Sequence, residues 1–569
     1  MTGFGFNIGY RGRSGKGEPG ESGGSDGSGT GGNGTDAGDT DGGDGGSDPD
    51  GGVIEVLIVT GQSNERGSNL SRLYRTPLDP RVMQWPANDL ENELEPAVER
   101  LRFPRTAASE DGIGPAMPTA EALLAELGAD DRIVLAPLAV GGTGYSAGTS
   151  RWAVGEERYA NAVARLGALR AHLAAVYPSH ELRWTFIGFA GEADASAGIA
   201  PHDYIELVKT SFEGMASAAG IGEFAVCAAL MSPAWVTTGV RANAIEGAKL
   251  GLRERMPRTA IVASPDGPYD PSTSVVHFDG AAQVERGRRI ATALPLARSR
   301  TDPLASGVDA LDAIGLPAWG AFSLYRRLSV AHSGAAFRIA RASDGAEADI
   351  GFTAEGYVDL AAAEAHCGAS DGLVTAWYDQ TGQGRNIAAA PAARSPRLVL
   401  KGRVVWRNGR PMMGGNSGAL LANESPPAGV SVMVAASTLS SGTRYLVSST
   451  NLNVYHRNGG PYAIVRRSGG TQNVGVALAD GVHVLIGQAD APPRVDGGTP
   501  SVVPIGSASS TYSGALSVFA RFPTQGDGPK NVATGLMSEL IVGSGAWSED
   551  QKLALEALTV PQHFPDPTP

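Results

Sequence analysis

Residues 56–67 read VLIVTGQSNERG, an apolar run that ends abruptly in polar residues. The run is rich in β-branched and aliphatic side chains and extends back to Val53, so it predicts a buried strand over 53–60. Gly61 then permits a sharp turn, because glycine adopts backbone angles that other residues avoid. The turn places Ser63 directly beyond the end of the strand. A serine at the carboxyl end of a buried strand is well placed for chemistry if the sheet is parallel.

Apolar strand-like runs alternate with amphipathic segments from Val53 to about Ser299. The predicted strands are 53–60, 132–140, 182–190, 223–231 and 259–264, and the predicted helices are 118–128, 157–177, 204–220, 241–256 and 281–294. Continuous apolar strands separated by helices are typical of a parallel sheet covered on both faces. The sequence therefore predicts a doubly wound α/β domain over 53–299.

The pattern changes near residue 300. From about Trp319 to Thr559 the chain has many short β-type runs separated by turn residues, such as VHVLIG at 482–487. This pattern predicts an all-β sandwich over 315–569, joined to the first domain by a linker at 300–314. The segment SEDQKLALEAL is interpreted as a short closing helix with Ser548 as its N-cap.

The N-terminal segment has a different composition. Residues 20–52 are rich in Gly, Ser, Asp and Thr and predict a disordered linker, because such a segment buries too little apolar surface to fold. Residues 1–19 alternate Phe4, Phe6, Ile8 and Tyr10 with glycines, which fits either a docking peptide or a frayed terminus. They lack the apolar core of a secretory signal.

Composition and charge exclude several functions. The 569-residue chain is long enough for two or three domains, and its formal net charge of -13 makes nucleic acid an unfavourable partner. No apolar run of about 18 residues predicts a membrane span. The spacing of Cys and His predicts no metal site, and Cys227 lies in an apolar run typical of a core.

Unusual residues follow three of the predicted strands. Gly141 and Gly142 follow the second strand, Glu192 and Asp194 follow the third, and His277 lies between the fifth strand and the last helix. Because the carboxyl ends of parallel strands meet at one edge, these residues converge on Ser63. A serine needs a base to become a nucleophile, so the pattern predicts a serine–histidine site.

Each of these residues also has a purely structural interpretation. Ser63 fits a helix N-cap, and the glycine pair at 141–142 fits a tight turn. Glu192 and Asp194 fit residues that hold a loop together, and His277 fits an ordinary surface residue.

Four motifs, taken in order, resemble those of the SGNH/GDSL hydrolases. GQSN follows the first strand, AVGGTG the second and GEAD the third, and HFDGAAQVERGRRIA leads into the last helix. The match is most similar to the sialate O-acetylesterase-like carbohydrate esterases, including carbohydrate esterase family six. The resemblance implies a flavodoxin-like fold and the hydrolysis of acetyl esters on sugars, without a metal or other cofactor.

Carried over to this chain, the resemblance implies that Ser63 is the nucleophile and His277 the base. The N–H groups of Ser63 and Gly142 would form the oxyanion hole. Neighbouring motif residues would bind substrate, namely Gln62, Asn64, Thr143, Glu192 and Asp194.

Two positions depart from that pattern. Ala190 stands where the branch usually has a glutamine that supports the oxyanion, and Ser274 stands where it usually has the orienting aspartate. We expect the acid to be Asp270 or Asp266 in the preceding loop, or the site to operate as a Ser–His dyad. Asp279 is interpreted as the cap of the last helix.

The second half resembles the catalytic sandwich of arabinofuranosidase B, glycoside hydrolase family fifty-four. The strings RASDGAEADIGF and WYDQTGQGRN carry this resemblance, and GLMSELIVGSGAWSEDQKLALEAL resembles the end of concanavalin-like lectin domains. No catalytic carboxylates of that family can be assigned. Five residues are predicted either to bind sugar or to hold the sandwich together: Asp344, Asp349, Trp377, Tyr378 and Asp379.

These features together predict a carbohydrate O-acetylesterase that also binds glycans. The glycine-rich leader suggests mounting on a virion as a phage tail fibre or spike, with other tail proteins bound through the N-terminus and a host capsule or lipopolysaccharide as the target. A non-catalytic adhesin and an exported bacterial esterase are the alternatives. Homo-oligomers are compatible with this prediction, but no repeat requires one.

Overall fold

The computed structural model describes most of the chain from residue 51 onward. The described residues are 51–67, 79–86, 93–97, 101–104, 112–146, 148, 150–189, 191–236, 239–270, 274–389, 395–407, 410–414, 419–422, 424–427, 430–438, 444–448, 453–456, 462–466, 473–477, 481–488, 494–496, 503–505, 517–518, 535–563 and 566. The predictions of a docking peptide at 1–19 and of a linker at 20–52 lie outside these residues, apart from Gly51 and Gly52.

A mixed sheet of seven strands forms the first unit. Its strands are β1 (Val53–Val59), β2 (Val82–Gln84), β3 (Glu95–Pro96), β4 (Arg132–Pro137), β5 (Glu181–Ile187), β6 (Phe224–Ala229) and β7 (Thr259–Val262). They are ordered β3-β2-β4-β1-β5-β6-β7, and all neighbours are parallel except β2 and β3. The five predicted strands are present. The prediction missed β2 and β3, which are too short to show a periodic pattern.

Helices cover both faces of this sheet. They are α1 (Ser63–Arg66), α2 (Ala116–Leu124), α3 (Glu157–Val176), α4 (Glu192–Ala197), α5 (Pro201–Ala218), α6 (Pro233–Val236), α7 (Val240–Gly251) and α8 (Gly280–Ser299), with 3₁₀ turns at Leu252–Glu254 and Ser274–Val276. Val56 and Ile58 of β1 share a core with α3, α5 and α7, whereas Leu57 and Val59 pack with α2 and α8. A strand buried on both faces explains the unbroken apolar run.

The second unit is a large antiparallel β structure. Its strands are β8 (Ala318–Ser323), β9 (Phe337–Arg341), β10 (Glu347–Ile350), β11 (Gly372–Trp377), β12 (Ile387–Ala389), β13 (Arg397–Leu400), β14 (Arg403–Val404), β15 (Trp406–Arg407), β16 (Arg410–Pro411), β17 (Met413–Gly414), β18 (Leu420–Ala422), β19 (Ser431–Thr438), β20 (Arg444–Ser448), β21 (Asn453–His456), β22 (Tyr462–Arg466), β23 (Asn473–Ala477), β24 (Gly481–Gln488), β25 (Arg494–Val495), β26 (Val503–Ile505), β27 (Ser517–Val518) and β28 (Gly535–Gly543). Three helices accompany them: α9 (Ala310–Ile314), α10 (Leu360–Cys367) and α11 (Glu549–His563). The predicted all-β second half is confirmed at this level.

Strand β19 divides two cores in this unit. Val432 and Val434 face the larger core, and Met433 and Ala435 face the smaller one beside α9 and α11. This alternation is the period-two pattern of a strand with an apolar layer on each side. The hydroxyl of Ser548 accepts a hydrogen bond from the Gln551 N–H at 3.2 Å, which confirms the predicted N-cap of α11.

Buried charges join the two units. Glu254 of the first unit pairs with Arg410 of the second, and the Tyr325 hydroxyl donates to the same carboxylate at 3.0 Å. Both charged side chains are almost fully buried, so each depends on the other for compensation. The predicted linker at 300–314 is not a free connection, because Leu304 N–H donates to the Arg253 carbonyl at 2.7 Å and α9 lies within it.

The C-terminal end of the chain returns to the first unit. Asp566 accepts from the Ile261 N–H at 2.8 Å and pairs with Arg253 and Arg300. Asp566 also forms a parallel bridge with Val262 of the edge strand β7, so this end of the predicted second domain contacts the first unit.

Two further predictions concern cysteines and membranes. Cys227 and Cys367 are buried free thiols, and burial raises the pKa of Cys227 well above its usual range, as expected for a core residue. None of the helices in the described part of the chain is both long and apolar enough to cross a membrane.

Candidate active site

The turn after β1 presents Ser63 at the edge of the sheet. Gly61 has a φ of +109°, and the Gln62 N–H donates to the Glu65 carboxylate at 3.0 Å. Gln62 is the N-cap of α1 and Ser63 is its first residue, so the alternative interpretation of Ser63 as the helix cap is wrong. The Ser63 side chain is half-buried and remains available at the surface of the site.

His277 meets Ser63 across 214 residues of sequence. The Nε2 atom of His277 lies 2.7 Å from the Ser63 Oγ atom, which is hydrogen-bonding distance. The loop before His277 is anchored twice: Ser232 Oγ donates to the Val275 carbonyl at 2.5 Å, and Asn64 Nδ2 donates to the Val276 carbonyl at 3.0 Å. The serine and the histidine are therefore held together by contacts on the histidine loop.

Two side chains of helix α8 make hydrogen bonds to α1, and the sequence analysis did not single them out. Gln283 Nε2 donates to the Asn64 carbonyl at 2.7 Å, and Arg286 donates to Gln283 Oε1 at 3.0 Å and to Glu65 Oε1 at 3.3 Å. Burial raises the pKa of Glu65, and the Arg286 charge opposes that effect. The available signal was the polar pair Gln283 and Arg286, three residues apart on a helix whose buried face is otherwise apolar.

The loop after β4 carries the predicted oxyanion donor. Gly142 has a φ of +70° and is exposed, and its N–H donates to no residue in the described part of the chain. The Asp194 carboxylate holds this loop in place, because it accepts hydrogen bonds from the Tyr145 and Ser146 N–H groups, each at 2.8 Å. Val140 N–H donates to the Gly61 carbonyl at 3.1 Å, which fixes this loop to the Ser63 turn.

Four of the five motif residues predicted to bind substrate are buried and make contacts within the loops. Gln62, Asn64, Thr143 and Asp194 are between 0 and 3% exposed, which leaves them almost no surface for a sugar. The Thr143 hydroxyl donates to the Val140 carbonyl at 2.7 Å and accepts from Trp152 Nε1 at 2.9 Å. Their physical role is to shape the loops.

Glu192 is a buried carboxylate near both Asn64 and His277. Its Oε1 atom accepts from Asn64 Nδ2 at 3.0 Å, while its buried Oε2 atom makes no hydrogen bond to a described residue. Glu192 is 7% exposed and its charge acts on His277, so it belongs to the site as a buried carboxylate rather than as a sugar ligand.

The hydrogen bond expected between an orienting acid and His277 is not made. Asp270 is buried and its N–H donates to the His277 carbonyl at 3.1 Å, but the Nδ1 atom of His277 has no partner among the described residues. Backbone pairing therefore brings the Asp270 carboxylate near the ring without joining it. Asp266 is exposed and its charged neighbour is Arg289, so it does not serve either.

The remaining predictions near His277 have mixed outcomes. Asp279 Oδ1 accepts from the Ala282 N–H at 3.0 Å, which confirms that Asp279 caps α8. Ala190 and the side chain of Ser274 lie outside what the structure describes, so the effect of these two departures stays a prediction.

Burial lowers the pKa of His277 below its ordinary value of 6.5. The charges of Glu192 and Asp270 oppose this effect, in that order of size. The imidazole is therefore neutral at pH 7 and able to accept a proton from the Ser63 hydroxyl. A serine, a neutral histidine and a free N–H on the next loop are the parts required for acyl transfer.

The residues predicted to bind sugar in the second unit divide between core and surface. Trp377 is 0% exposed and Asp379 accepts from the Ala321, Thr381 and Arg385 N–H groups, so both hold the fold. Tyr378 donates to Asp349 at 2.6 Å on the surface, and Asp344 accepts from the Ala346 N–H at 3.0 Å. No contact between described residues joins this group to Ser63.

Comparison with known proteins identifies two carbohydrate-active segments. Residues 53–295 match the family model of the carbohydrate esterases described as sialic acid-specific acetylesterases. Residues 308–401 match the model for the catalytic part of alpha-L-arabinofuranosidase B. The two matches support a carbohydrate-active hydrolase.

The curated relatives match only part of the chain. The probable alpha-L-arabinofuranosidase B of Aspergillus flavus is 34% identical over 105 residues, which is 18% of this chain and 21% of that protein. The alpha-L-arabinofuranosidase of Hypocrea jecorina is 36% identical over 77 residues, 14% of this chain and 15% of that protein. The chain thus spans about a fifth or less of the length of these relatives.

Two solved structures are each similar to less than half of the chain. NanS is 17% identical with a TM-score of 0.35, and the match covers 44% of this chain and 99% of that one. An arabinofuranosidase complexed with arabinofuranosyl-alpha-1,2-xylobiose is 18% identical with a TM-score of 0.34, and the match covers 46% of this chain and 66% of that one.

The charge of Glu192 should set the pH dependence of the site. A negative charge stabilises the imidazolium, so Glu192→Gln should lower the pKa of His277 further. Activity requires the neutral ring, and the acidic limb of a pH–rate profile on an acetate ester should lie below pH 6.5 in the wild type and move to lower pH in Glu192→Gln. Glu206→Gln, an exposed carboxylate paired with Arg255, is the control and should leave the limb in place. A limb that moves to higher pH in Glu192→Gln would contradict this assignment.

Proposed function

We propose that this protein is a serine-dependent carbohydrate O-acetylesterase. The 2.7 Å contact between Ser63 Oγ and His277 Nε2 carries the proposal, because a free hydroxyl is a weak nucleophile until a neutral base accepts its proton. In this proposal the first unit is an SGNH-type esterase domain and the second a concanavalin-like sandwich.

The proposed reaction has two steps, acylation of Ser63 and hydrolysis of the acetyl-serine. Ser63 Oγ attacks the acetyl carbonyl carbon while its proton passes to His277 Nε2, and the sugar oxygen leaves with that proton, which gives an acetyl-serine. A water then attacks the acetyl-serine, again losing its proton to His277. The Ser63 oxygen then leaves the acetyl carbon and takes that proton from His277, and acetic acid departs and ionises in solution to acetate and a proton. The N–H groups of Ser63 and Gly142 receive the negative charge that develops on the carbonyl oxygen.

A dyad assisted by buried charge fits this site better than a hydrogen-bonded triad. The imidazolium formed in each step is stabilised by the carboxylates of Glu192 and Asp270, which both raise the pKa of His277. The Nδ1 atom has no hydrogen-bond partner among the described residues, which fits a ring held in place by its loop and by Ser63 rather than by an acid. The rival function is a non-catalytic adhesin on an esterase scaffold, and it is supported by the two departures from the family pattern, Ala190 and Ser274.

Substitution of Ser63 separates these two functions. Ser63→Ala removes the nucleophile and should reduce hydrolysis of p-nitrophenyl acetate by at least about 10³-fold, since loss of a catalytic serine abolishes the covalent route. Ser299→Ala, whose hydroxyl only donates to the Leu296 carbonyl of its own helix, should retain the wild-type rate. Equal rates for the wild type and Ser63→Ala would establish the adhesin instead.

The proposed biological target is a bacterial surface polysaccharide such as capsule or lipopolysaccharide, with the protein mounted on a phage particle. Two carbohydrate-active segments in one chain support the polysaccharide, and the apolar residues at 1–19 followed by the linker at 20–52 support attachment. Tryptic peptides of this chain should be found in purified tail particles of the phage that carries the gene. A gene outside any tail cluster, with its product only in the culture medium, would favour the exported bacterial enzyme.

A further inference from the structure

A groove of about 540 Å³ lies between the two units. The start of α5 forms one wall, and α10 with the β13–β14 turn forms the other. The side chains that define its chemistry are His202, Asp203, Glu364, Ala365, Lys401 and Arg403. Its volume is within the range of small-ligand sites, and boundaries between domains are common places for them.

The wall contributed by the second unit is rigidly constructed. Lys401 and Gly402 form the β13–β14 turn with φ of +50° and +79°. A Cβ atom at Gly402 would lie 2.0 Å from the Gly368 carbonyl oxygen, so glycine is required there. The turn therefore packs closely against the end of α10. Asp371 accepts from the Lys401 N–H at 2.7 Å, which fixes the turn from the other side.

The ammonium group of Lys401 is exposed in the groove and can bind a ligand. Glu364 accepts from Arg403 and from the Val404 N–H, each at 2.9 Å, so the carboxylate and the guanidinium satisfy each other. Lys401 is exposed, and no ion pair holds its ammonium group in the part of the chain that the structure describes. It also occupies a left-handed conformation that asparagine or glycine would adopt at lower cost.

The lining suits a glycan better than other ligands. Lys401 and His202 provide donors beside the Asp203 carboxylate, and Arg403 is paired with Glu364. With the imidazole neutral, the two cations and the two carboxylates of the lining cancel in charge. A lining without net positive charge disfavours a polyanion such as nucleic acid. Small alanine side chains, including Ala365, provide flat apolar surface for the C–H faces of sugar rings while the polar groups reach the hydroxyls.

A short segment of chain connects the acidic turn beside the serine helix with the groove. Glu192, which contacts Asn64 beside Ser63, is the first residue of α4, and His202 in the groove follows ten residues later. Five helical steps rise roughly 8 Å and five extended steps at most about 18 Å, so the Cα atoms of Glu192 and His202 are at most roughly 26 Å apart. A short oligosaccharide can span such a distance.

We propose that this groove is a distal glycan-binding subsite, which holds an unreacting stretch of the polysaccharide while an acetyl group is presented to Ser63. The presentation of an acetyl group to Ser63 rests on the proposed esterase function, whereas glycan binding in the groove does not. The second unit thus contributes to the selection of polymeric over small esters.

Blocking the groove tests the subsite. Ala365→Trp should lower kcat/KM at least about tenfold on the best polymer among acetylxylan, acetylated pectin and an O-acetylated bacterial capsule, because the indole excludes the sugar. It should leave p-nitrophenyl acetate hydrolysis unchanged, since that ester does not reach the groove. Ala362→Trp, an exposed position of the same helix outside the groove, is the matched control. Equal polymer rates for the two variants would overturn the proposal.

A binding measurement separates failure of the subsite from failure of the esterase. The full chain carrying Ser63→Ala is run through affinity gels that contain each of the three polysaccharides, alone and with Ala365→Trp, Ala362→Trp or Lys401→Asn. Asparagine tolerates the left-handed turn, so the last variant removes only the ammonium group. Weaker retention with Ala365→Trp and Lys401→Asn supports the subsite even in a chain with no esterase activity. Equal retention of all variants, or retention by none of the polymers, overturns it.

Discussion

The hydrogen bonds of Asn64 are the constraint on which the site depends. Its amide nitrogen donates to Glu192 and to the Val276 carbonyl, and its amide oxygen accepts from the Phe278 N–H at 3.3 Å. One buried side chain therefore joins the serine helix, the acidic turn after β5 and both flanks of His277. Because buried polar groups are costly to leave unpaired, this arrangement strongly favours a single geometry.

That geometry gives Ser63 and His277, the proposed nucleophile and base, different surroundings. Ser63 lies at the carboxyl end of a parallel sheet, where the turn at Gly61 exposes its hydroxyl. His277 lies in a loop whose burial disfavours the charged ring, while the carboxylates of Glu192 and Asp270 limit that effect. The balance keeps the imidazole neutral at rest and lets it carry a proton briefly, which is the requirement for a base in acyl transfer.

Sequence reasoning located the strands and brought Ser63 and His277 to one sheet edge, because both leave strong local signals. Apolar runs predicted β1 and its four long companions, and the positions of Ser63 and His277 at strand ends follow from parallel topology. The sequence analysis did not predict the hydrogen bonds that link Asn64, Gln283 and Arg286. An amide side chain in a motif, such as that of Asn64, fits a sugar ligand as well as a residue that holds a loop. The expected Asp270 contact depends on side-chain geometry within one hydrogen-bond length, and the Glu254–Arg410 pair joins residues 156 apart in sequence, so periodicity predicts neither.

The most direct measurement of the central claim is covalent labelling of the nucleophile. The full chain is treated with an alkyl fluorophosphonate, its intact mass is determined, and the modified peptide is mapped. Activation of Ser63 by His277 predicts one adduct per chain, on Ser63, that forms at a rate greatly reduced in His277→Gln. No adduct, an adduct on another serine, or equal labelling of His277→Gln would contradict the account.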